Sequence, residues 1–392
     1  MRITQVESMV LLGSLHVVRI HTDEGLSGVG EVSPMGVAVT HAFVENVLAP
    51  MLVGEDASDT ERLWRRMYTH PYKLGPTGAQ LSAMAGIDIA LWDILGKAAG
   101  LPLYALLGGR YRPAVKVYAS SMSRTLTPEE EAERAVSYQE QGYHGYKIHT
   151  ATPWMHDEGF DQTIATVTAV RSAVGDRFPL MVDPNNAYYE HTAVRLAREL
   201  EELGVSHFEE PLAPHDYRAY ARLAAAVDIP IAAGEQEYTS WQFRELILQG
   251  QVDILQPDVI KCGGITEFKK IAALADAFTR PVVTHSTQPT IGQAAHAHLC
   301  VSTPACVYAQ EYNIEHNPLR DDIPIWQEPI VPVGGVITPP DRPGLGVEID
   351  EEALRRLREM PPKPAKAWVP GAGAWRSDVL AGSAGAAARP AR

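Results

Sequence analysis

Three carboxylates at equal intervals constrain this chain more than any other feature. Met181-Val182-Asp183, His207-Phe208-Glu209 and Ala233-Gly234-Glu235 each end a short apolar run, and 26 residues separate each acid from the next. A strand, a turn, a helix and a return loop consume about that many residues in an eight-unit barrel of about 250 residues. Equal steps therefore place the three acids at the same end of three neighbouring parallel strands. Acids in such places also serve as helix caps or ion-pair partners, and one alone would say little. Three in register would repel one another without a cation between them. Oxygen donors of that number and hardness suit Mg²⁺, which keeps positions open for substrate oxygens or water.

The same step continues beyond Glu235. Asp258 lies 23 residues on, His285 a further 27 and Glu311 a further 26. Strands are expected to end near Ser121, His149, Asp183, Glu210, Glu235, Asp258, His285 and Tyr312, with helical patterns between them. Strand–helix steps that all run in one direction close most naturally into a barrel. Thr127-Pro128-Glu129-Glu130-Glu131 reads as a helix start, with acids where the dipole favours them. Phe268, Ile271, Leu274, Ala275 and Phe278 make the apolar stripe of another helix.

Ahead of the barrel, residues 2–33 alternate as antiparallel strands, with Asp23-Glu24-Gly25 as a turn. Helical patterns follow at about 39–49, 58–69 and 77–99. The last carries Ala79, Ala83, Met84, Ile87, Ala90, Leu91 and Ile94 on one face and is stopped by Gly100 and Pro102. Beyond Tyr312, residues 329–349 are rich in Pro, Gly and Val, and Glu351 to Met360 is a short charged helix. From Gly371 the chain has too little apolar surface to order itself. The expected division is an α+β cap at 1–112, a barrel at 113–328, a C-terminal segment at 329–370 and a flexible tail at 371–392.

With 392 residues, 45% of them hydrophobic, the chain can bury a large core. A net charge of −14 argues against nucleic acid or an anionic membrane surface as partner. A small anionic substrate would then need a local cation. Cys262, Cys300 and Cys306 show no paired spacing, which points to a reducing compartment. The first residues lack a signal peptide's apolar core, and no apolar run approaches the roughly 20 residues that span a bilayer, so a cytoplasmic location is expected.

Side chains two apart share a strand face, so Lys147 and His149 point the same way. Both can face the barrel mouth, where histidine is able to do acid–base work. Asp258 and His285 come from adjacent strands, and a carboxylate beside an imidazole fixes its tautomer and raises its basicity. His149 and His285 also have plainer readings as strand-end histidines, and Lys147 and Glu311 as ion-pair partners. Asn185, just past Asp183, and Tyr72 and Lys73, in the polar segment His70 to Gly75, are candidate substrate contacts. A short loop at Leu12-Gly13-Ser14 would leave room for an extended polyhydroxylated acid.

These residues resemble the enolase superfamily, specifically its mandelate racemase subgroup, over about residues 1–365. The resemblance rests on Asp183, Glu209-Glu210-Pro211, Gly234-Glu235, Asp258 followed by Lys261-Cys262-Gly263-Gly264, His285, and Pro343-Gly344-Leu345-Gly346-Val347-Glu348. It implies a modified (β/α)7β TIM barrel with an N-terminal α+β cap that a C-terminal segment completes, and assembly into a homo-oligomer. It implies Asp183, Glu209 and Glu235 as Mg²⁺ ligands, His285 as base with Asp258 orienting it, and Glu311 as the acid that hydrogen-bonds the developing enolate. Lys147 matches the first lysine of the subgroup's Lys-x-Lys; His149 stands where the second, the opposite-face base, is usual. Muconate-lactonising relatives carry a lysine where Asp258 stands, which argues against that activity.

Sites of this superfamily pair a Lys or His base with Mg²⁺ that stabilises an enediolate. The implied function is dehydration of a sugar acid, aldonate or aldarate, to a 2-keto-3-deoxy acid, with a small-molecule carboxylate as substrate. His285 alone would give syn elimination; His149 as acid from the other face would give anti elimination. A racemase, epimerase or cycloisomerase on the same intermediate is the alternative, and a non-catalytic barrel is a third reading.

Overall fold

The computed structural model describes residues 1–360 except 13–14, 155, 289, 323 and 328, together with the backbone of 367–369 and 374–376. The chain opens with an antiparallel sheet, β1 (Ile3–Leu11), β2 (Leu15–Thr22) and β3 (Ser27–Val32), in the order β1-β2-β3. The turn between β2 and β3 sits where Asp23-Glu24-Gly25 predicts it, with Gly25 at φ +79°. Helix α1 (Val37–Phe43) runs through a π-helical turn at Val44–Leu48 into α2 (Ala49–Leu52). Then come α3 (Thr60–Thr69), α4 (Ala79–Ala99) and α5 (Leu103–Leu106).

Helix α4 shows why the cap holds to the barrel. Its apolar stripe predicts one buried face, yet almost every residue from Gln80 to Ile94 is buried. One side meets the cap sheet, where Gly30 on β3 lets the backbones touch: a Cβ there would lie 1.9 Å from the Gly86 carbonyl oxygen. The other side meets the barrel. Asp88 accepts from the Thr266 backbone N–H at 2.8 Å, and Trp92 Nε1 donates to Thr266 Oγ1 at 2.8 Å. A helix packed on both sides has no solvent face for its polar residues, so each must find a partner.

The barrel alternates β4 (Val115–Ser121), α6 (Pro128–Glu140), β5 (Tyr146–His149), α7 (Thr163–Val174), β6 (Leu180–Asp183), α8 (Glu190–Glu202), β7 (His207–Glu209), α9 (Tyr217–Ala226), β8 (Ile231–Ala233), α10 (Thr239–Glu245), β9 (Ile254–Leu255), α11 (Ile265–Ala277), α12 (Ile291–Ser302) and β10 (Gln310–Asn313). Neighbouring strands from β4 to β9 pair in parallel, and β10 returns to pair with β4. The seventh strand position is a single bridge, Leu255 to Val282. Its gap against β10 is closed by the Gln310 amide, which accepts from the Thr284 backbone N–H at 2.8 Å and donates to the Val282 carbonyl at 3.2 Å. The result is a (β/α)7β barrel. Thr127 and Glu130 form a reciprocal cap at the start of α6, as the sequence there predicts.

After α13 (Pro318–Asp321), β11 (Val336–Ile337) pairs antiparallel with β4. The following segment docks on the cap: Leu345 N–H donates to Asp93 at 2.8 Å, and Pro102 bridges Gly344. Helix α14 (Glu351–Glu359) is tied to β2 by an Arg19–Glu351 ion pair of 2.8 Å. Residues 367–369 and 374–376 pair as a short antiparallel ladder, and the rest of the expected tail lies outside the described residues, as do Gly13 and Ser14 of the expected short loop. The three cysteines are buried and free. Among the described residues no helix is long and apolar enough to cross a membrane.

Candidate active site

The site lies at the C-terminal ends of the barrel strands. Asp183 ends β6 and Glu209 ends β7, while Glu235 stands two residues past β8. Between them, Gly234 adopts φ +140°, and a Cβ there would meet the Gln256 backbone nitrogen and the Phe243 ring at 2.8 Å. Glycine is what lets the chain turn at that point. One oxygen from each of Asp183, Glu209 and Glu235 lies within 4.8 Å of the others, and all three residues are buried. Glu209 Oε2 has no hydrogen-bond partner among the described residues. A buried lone pair left without a partner is what a cation would satisfy, and three buried carboxylates are the donor set of a hard ion. The triad fits a divalent metal ion.

Lys147, on β5, is buried against these acids. Its ammonium is 2.7 Å from Glu209, 2.8 Å from Glu311 and 3.6 Å from Asp183. Burial alone would lower its pKa, but Glu209 and Glu311 hold it well above the ordinary lysine value. Glu311, on β10, is the acid that the resemblance expects to hydrogen-bond the developing enolate. Its Oε1 accepts from Ser120 Oγ at 2.7 Å and from Lys147, and its Oε2 accepts from the Ser286 backbone N–H at 2.7 Å. Burial favours its neutral form, but Lys147 outweighs that and holds the carboxyl below its ordinary range. Glu311 thus lies against Lys147 within the cluster.

His285 lies across the mouth. Its Nδ1 is 2.7 Å from Asp258 Oδ2, and its Nε2 is 3.0 Å from Glu235 Oε2. Asp258 is itself held by the Ile260 backbone N–H at 3.0 Å and by His296 Nε2 at 3.4 Å. Burial would lower the imidazole's pKa, but Glu235 and the hydrogen bond to Asp258 raise it to about 9. Asp258 moves the other way: burial raises it, and His285 holds it below the usual carboxylate range. The expected pairing across adjacent strand positions is present, with Nε2 turned to the triad.

His149 is brought to the cluster, but both ring nitrogens are engaged. Nδ1 lies 2.5 Å from the Ser121 carbonyl oxygen and Nε2 lies 2.9 Å from Asp183 Oδ2. Because a carbonyl only accepts, Nδ1 donates to Ser121, and Nε2 faces Asp183. Asn185 also serves Asp183, donating from its backbone N–H at 2.8 Å and from Nδ2 at 3.0 Å. Glu210 turns away from the triad, with φ +34° and Oε2 accepting from Asn186 Nδ2 at 2.9 Å. Tyr72 and Lys73 sit on the cap surface, where Tyr72 is 58% exposed and its ring lies 6.5 Å from the Tyr68 ring. Neither makes a hydrogen bond or ion pair with the cluster among the described residues.

Two groups at the mouth escaped the sequence reading. His207, two residues before Glu209 on β7, has Nε2 3.7 Å from Glu209 Oε2; the two-residue period was the signal for it. Arg124, on the loop after β4, hydrogen-bonds Asn185 Oδ1 and donates from Nε to the Ala151 carbonyl at 3.1 Å. Loops carry no periodicity, so nothing in the sequence pointed to it.

A (β/α)7β barrel under an α+β cap, with three strand-end carboxylates in reach of one ion, defines an enolase-type protein. Residues 6–108 match the mandelate racemase/muconate lactonizing enzyme N-terminal domain, and residues 129–353 match the enolase C-terminal domain-like family. The chain belongs to the enolase superfamily, in its mandelate racemase/muconate lactonizing group. It is 35% identical to a D-galactarolactone cycloisomerase of Agrobacterium fabrum, across 87% of this chain and 90% of that protein. It is also 35% identical to a D-galactonate dehydratase of Xanthomonas oryzae pv. oryzae, across 92% and 96%. A solved mandelate racemase/muconate lactonizing protein from Paracoccus denitrificans, complexed with magnesium, superposes with a TM-score of 0.83 at 34% identity, over 91% of this chain and 97% of that one.

Proposed function

We propose that the chain catalyses Mg²⁺-dependent dehydration of a sugar acid, an aldonate or aldarate, to a 2-keto-3-deoxy acid. The observation that carries this reading is His285: Asp258 anchors its Nδ1 at 2.7 Å while its Nε2 faces the triad. A Mg²⁺ ion held by Asp183, Glu209 and Glu235 would supply Lewis-acid stabilisation of the charge that develops on the substrate carboxylate.

The residues do the rest. A proton beside a carboxylate is very weakly acidic, and its removal leaves a dianionic enediolate. His285 Nε2 takes that proton, its ring orientation fixed by Asp258. Glu235 is the largest influence raising the imidazole. With the charge of Glu235 offset, the imidazole returns toward the range in which it accepts a proton near neutrality. Lys147, clamped by Glu209 and Glu311, donates to the developing oxyanion without having to reorganise. The proton on His285 then passes to the β-hydroxyl, the C–O bond breaks, water leaves, and the enol tautomerises to the ketone. His285 acts twice from one face, so the elimination is syn. His149, engaged by Ser121 and Asp183, positions a metal ligand in this reading.

The name borne by the Xanthomonas relative supports dehydration. The second reading, an isomerase using the same deprotonated intermediate, is favoured by the name of the Agrobacterium relative. A screen of mono- and diacid sugars with Mg²⁺ separates the two. Dehydration yields a keto acid that semicarbazide detects. Isomerisation in ²H₂O returns a product of the same formula labelled at Cα. Chelation is expected to stop either reaction, and added Mg²⁺ to restore it. No α-proton exchange across a broad library would leave a non-catalytic barrel.

His149→Ala is expected to weaken divalent-cation binding by about 10–100-fold, the usual effect of removing a group that orients a metal ligand. Titration calorimetry measures this directly. Unchanged affinity would return His149 to the role of acid on the opposite face.

A further inference from the structure

Arg124 stands outward of the triad with part of its hydrogen-bonding capacity unused. It follows β4 by three residues, and its guanidinium reaches across the mouth to Ala151 and Asn185. Those contacts lie two residues past the ends of β5 and β6, His149 and Asp183. At Asn185 the chain turns, with φ +47°, and the Asn185 side chain links the guanidinium to Asp183, its Nδ2 donating to Asp183 Oδ2 at 3.0 Å. Both acceptors are uncharged amide or carbonyl oxygens, and Nη1 has no hydrogen-bond partner among the described residues. Its acidic influences are Asp183 and Glu235, which act on it at a distance and not through a hydrogen bond.

A fork of N–H donors held in place but not neutralised matches a carboxylate in shape and charge. Sugar diacids carry a carboxylate at each end. One end would be taken at the triad and Lys147, and the other would project outward from the strand ends, toward the guanidinium. A monoacid ends there in an alcohol, which offers Arg124 no charge. In a chain of net charge −14, a dianion needs a second local cation to be held. Resting on the dehydratase reading above, we propose that Arg124 binds the carboxylate remote from the reacting carbon, so that the favoured substrates are sugar diacids.

The test compares a hexarate with the hexonate of the same stereochemistry, using the full chain with Mg²⁺. Arg124→Met is expected to lower the hexarate-over-hexonate ratio of kcat/KM by about 10–100-fold, mainly through KM, as for loss of a charge-assisted contact. Arg124→Lys should recover part of the ratio. Wild-type preference for the hexonate, or equal losses on both acids, overturns the proposal. So does weakened Mg²⁺ affinity in Arg124→Met that accounts for the loss, since Arg124 would then act only through Asn185 and Asp183. If the wild type dehydrates no sugar acid, the dehydratase reading fails by itself. Calorimetric binding of the hexarate to Mg²⁺-loaded wild type and Arg124→Met then decides Arg124: tighter binding to the wild type supports its role, and equal binding ends it.

Discussion

His285→Asn is expected to abolish exchange of the substrate α-proton, with turnover falling by about 10²–10⁴-fold, the usual contribution of a positioned general base. Divalent-cation binding should survive. The replaced ring contacts Glu235 only through Nε2, and Asp183 and Glu209 keep their own partners, Asn185, His149 and Lys147. The asparagine amide is also able to donate to Asp258, so that buried carboxylate is not orphaned. Proton exchange followed by NMR in ²H₂O, beside calorimetric Mg²⁺ titration, separates the two effects. Retained exchange in this variant would remove His285 from the base role, and with it the observation on which the proposed chemistry stands.

Lys147→Met is expected to destabilise the cation-free protein by about 3–5 kcal/mol, because it leaves uncompensated charges in a buried cluster. Lys147 is 1% exposed and lies within 3.6 Å of Asp183, Glu209 and Glu311. Saturating Mg²⁺ should recover part of that loss, since the ion binds the folded state and offsets two of the same carboxylates. The comparison is denaturant unfolding of wild type and variant, each with chelator and with Mg²⁺. An identical deficit in both conditions would mean that Lys147 and the cation do not share those charges.

Both predictions concern residues that periodic spacing exposed, because a barrel repeats its geometry. Equal steps of 26 residues put Asp183, Glu209 and Glu235 at one end of the barrel, where the structure has them. The two-residue strand period placed Lys147 and His149 on one face, and both reach Asp183. The same logic reached Asp258 and His285, although the seventh strand is little more than a bridge and Gln310 completes its hydrogen bonding. Period does not reach rotamers or partners. The contacts of Glu311 depend on Ser120, Lys147 and Ser286, which come from three different parts of the chain. The engagement of His149 depends on a carbonyl from the neighbouring strand.

By itself, then, the sequence determined the direction of the strands, the end of the barrel that carries the acids, and the cap that covers it. These follow from hydrophobic period, turn residues and step length, which are local properties repeated along the chain. Only the tertiary structure decided that α4 is buried on both sides, that Tyr72 and Lys73 stay on the cap surface, and that Arg124 crosses the mouth to Asn185. Each of those depends on which distant segment comes to lie alongside, and on whether a polar group finds its partner there or must look to a ligand.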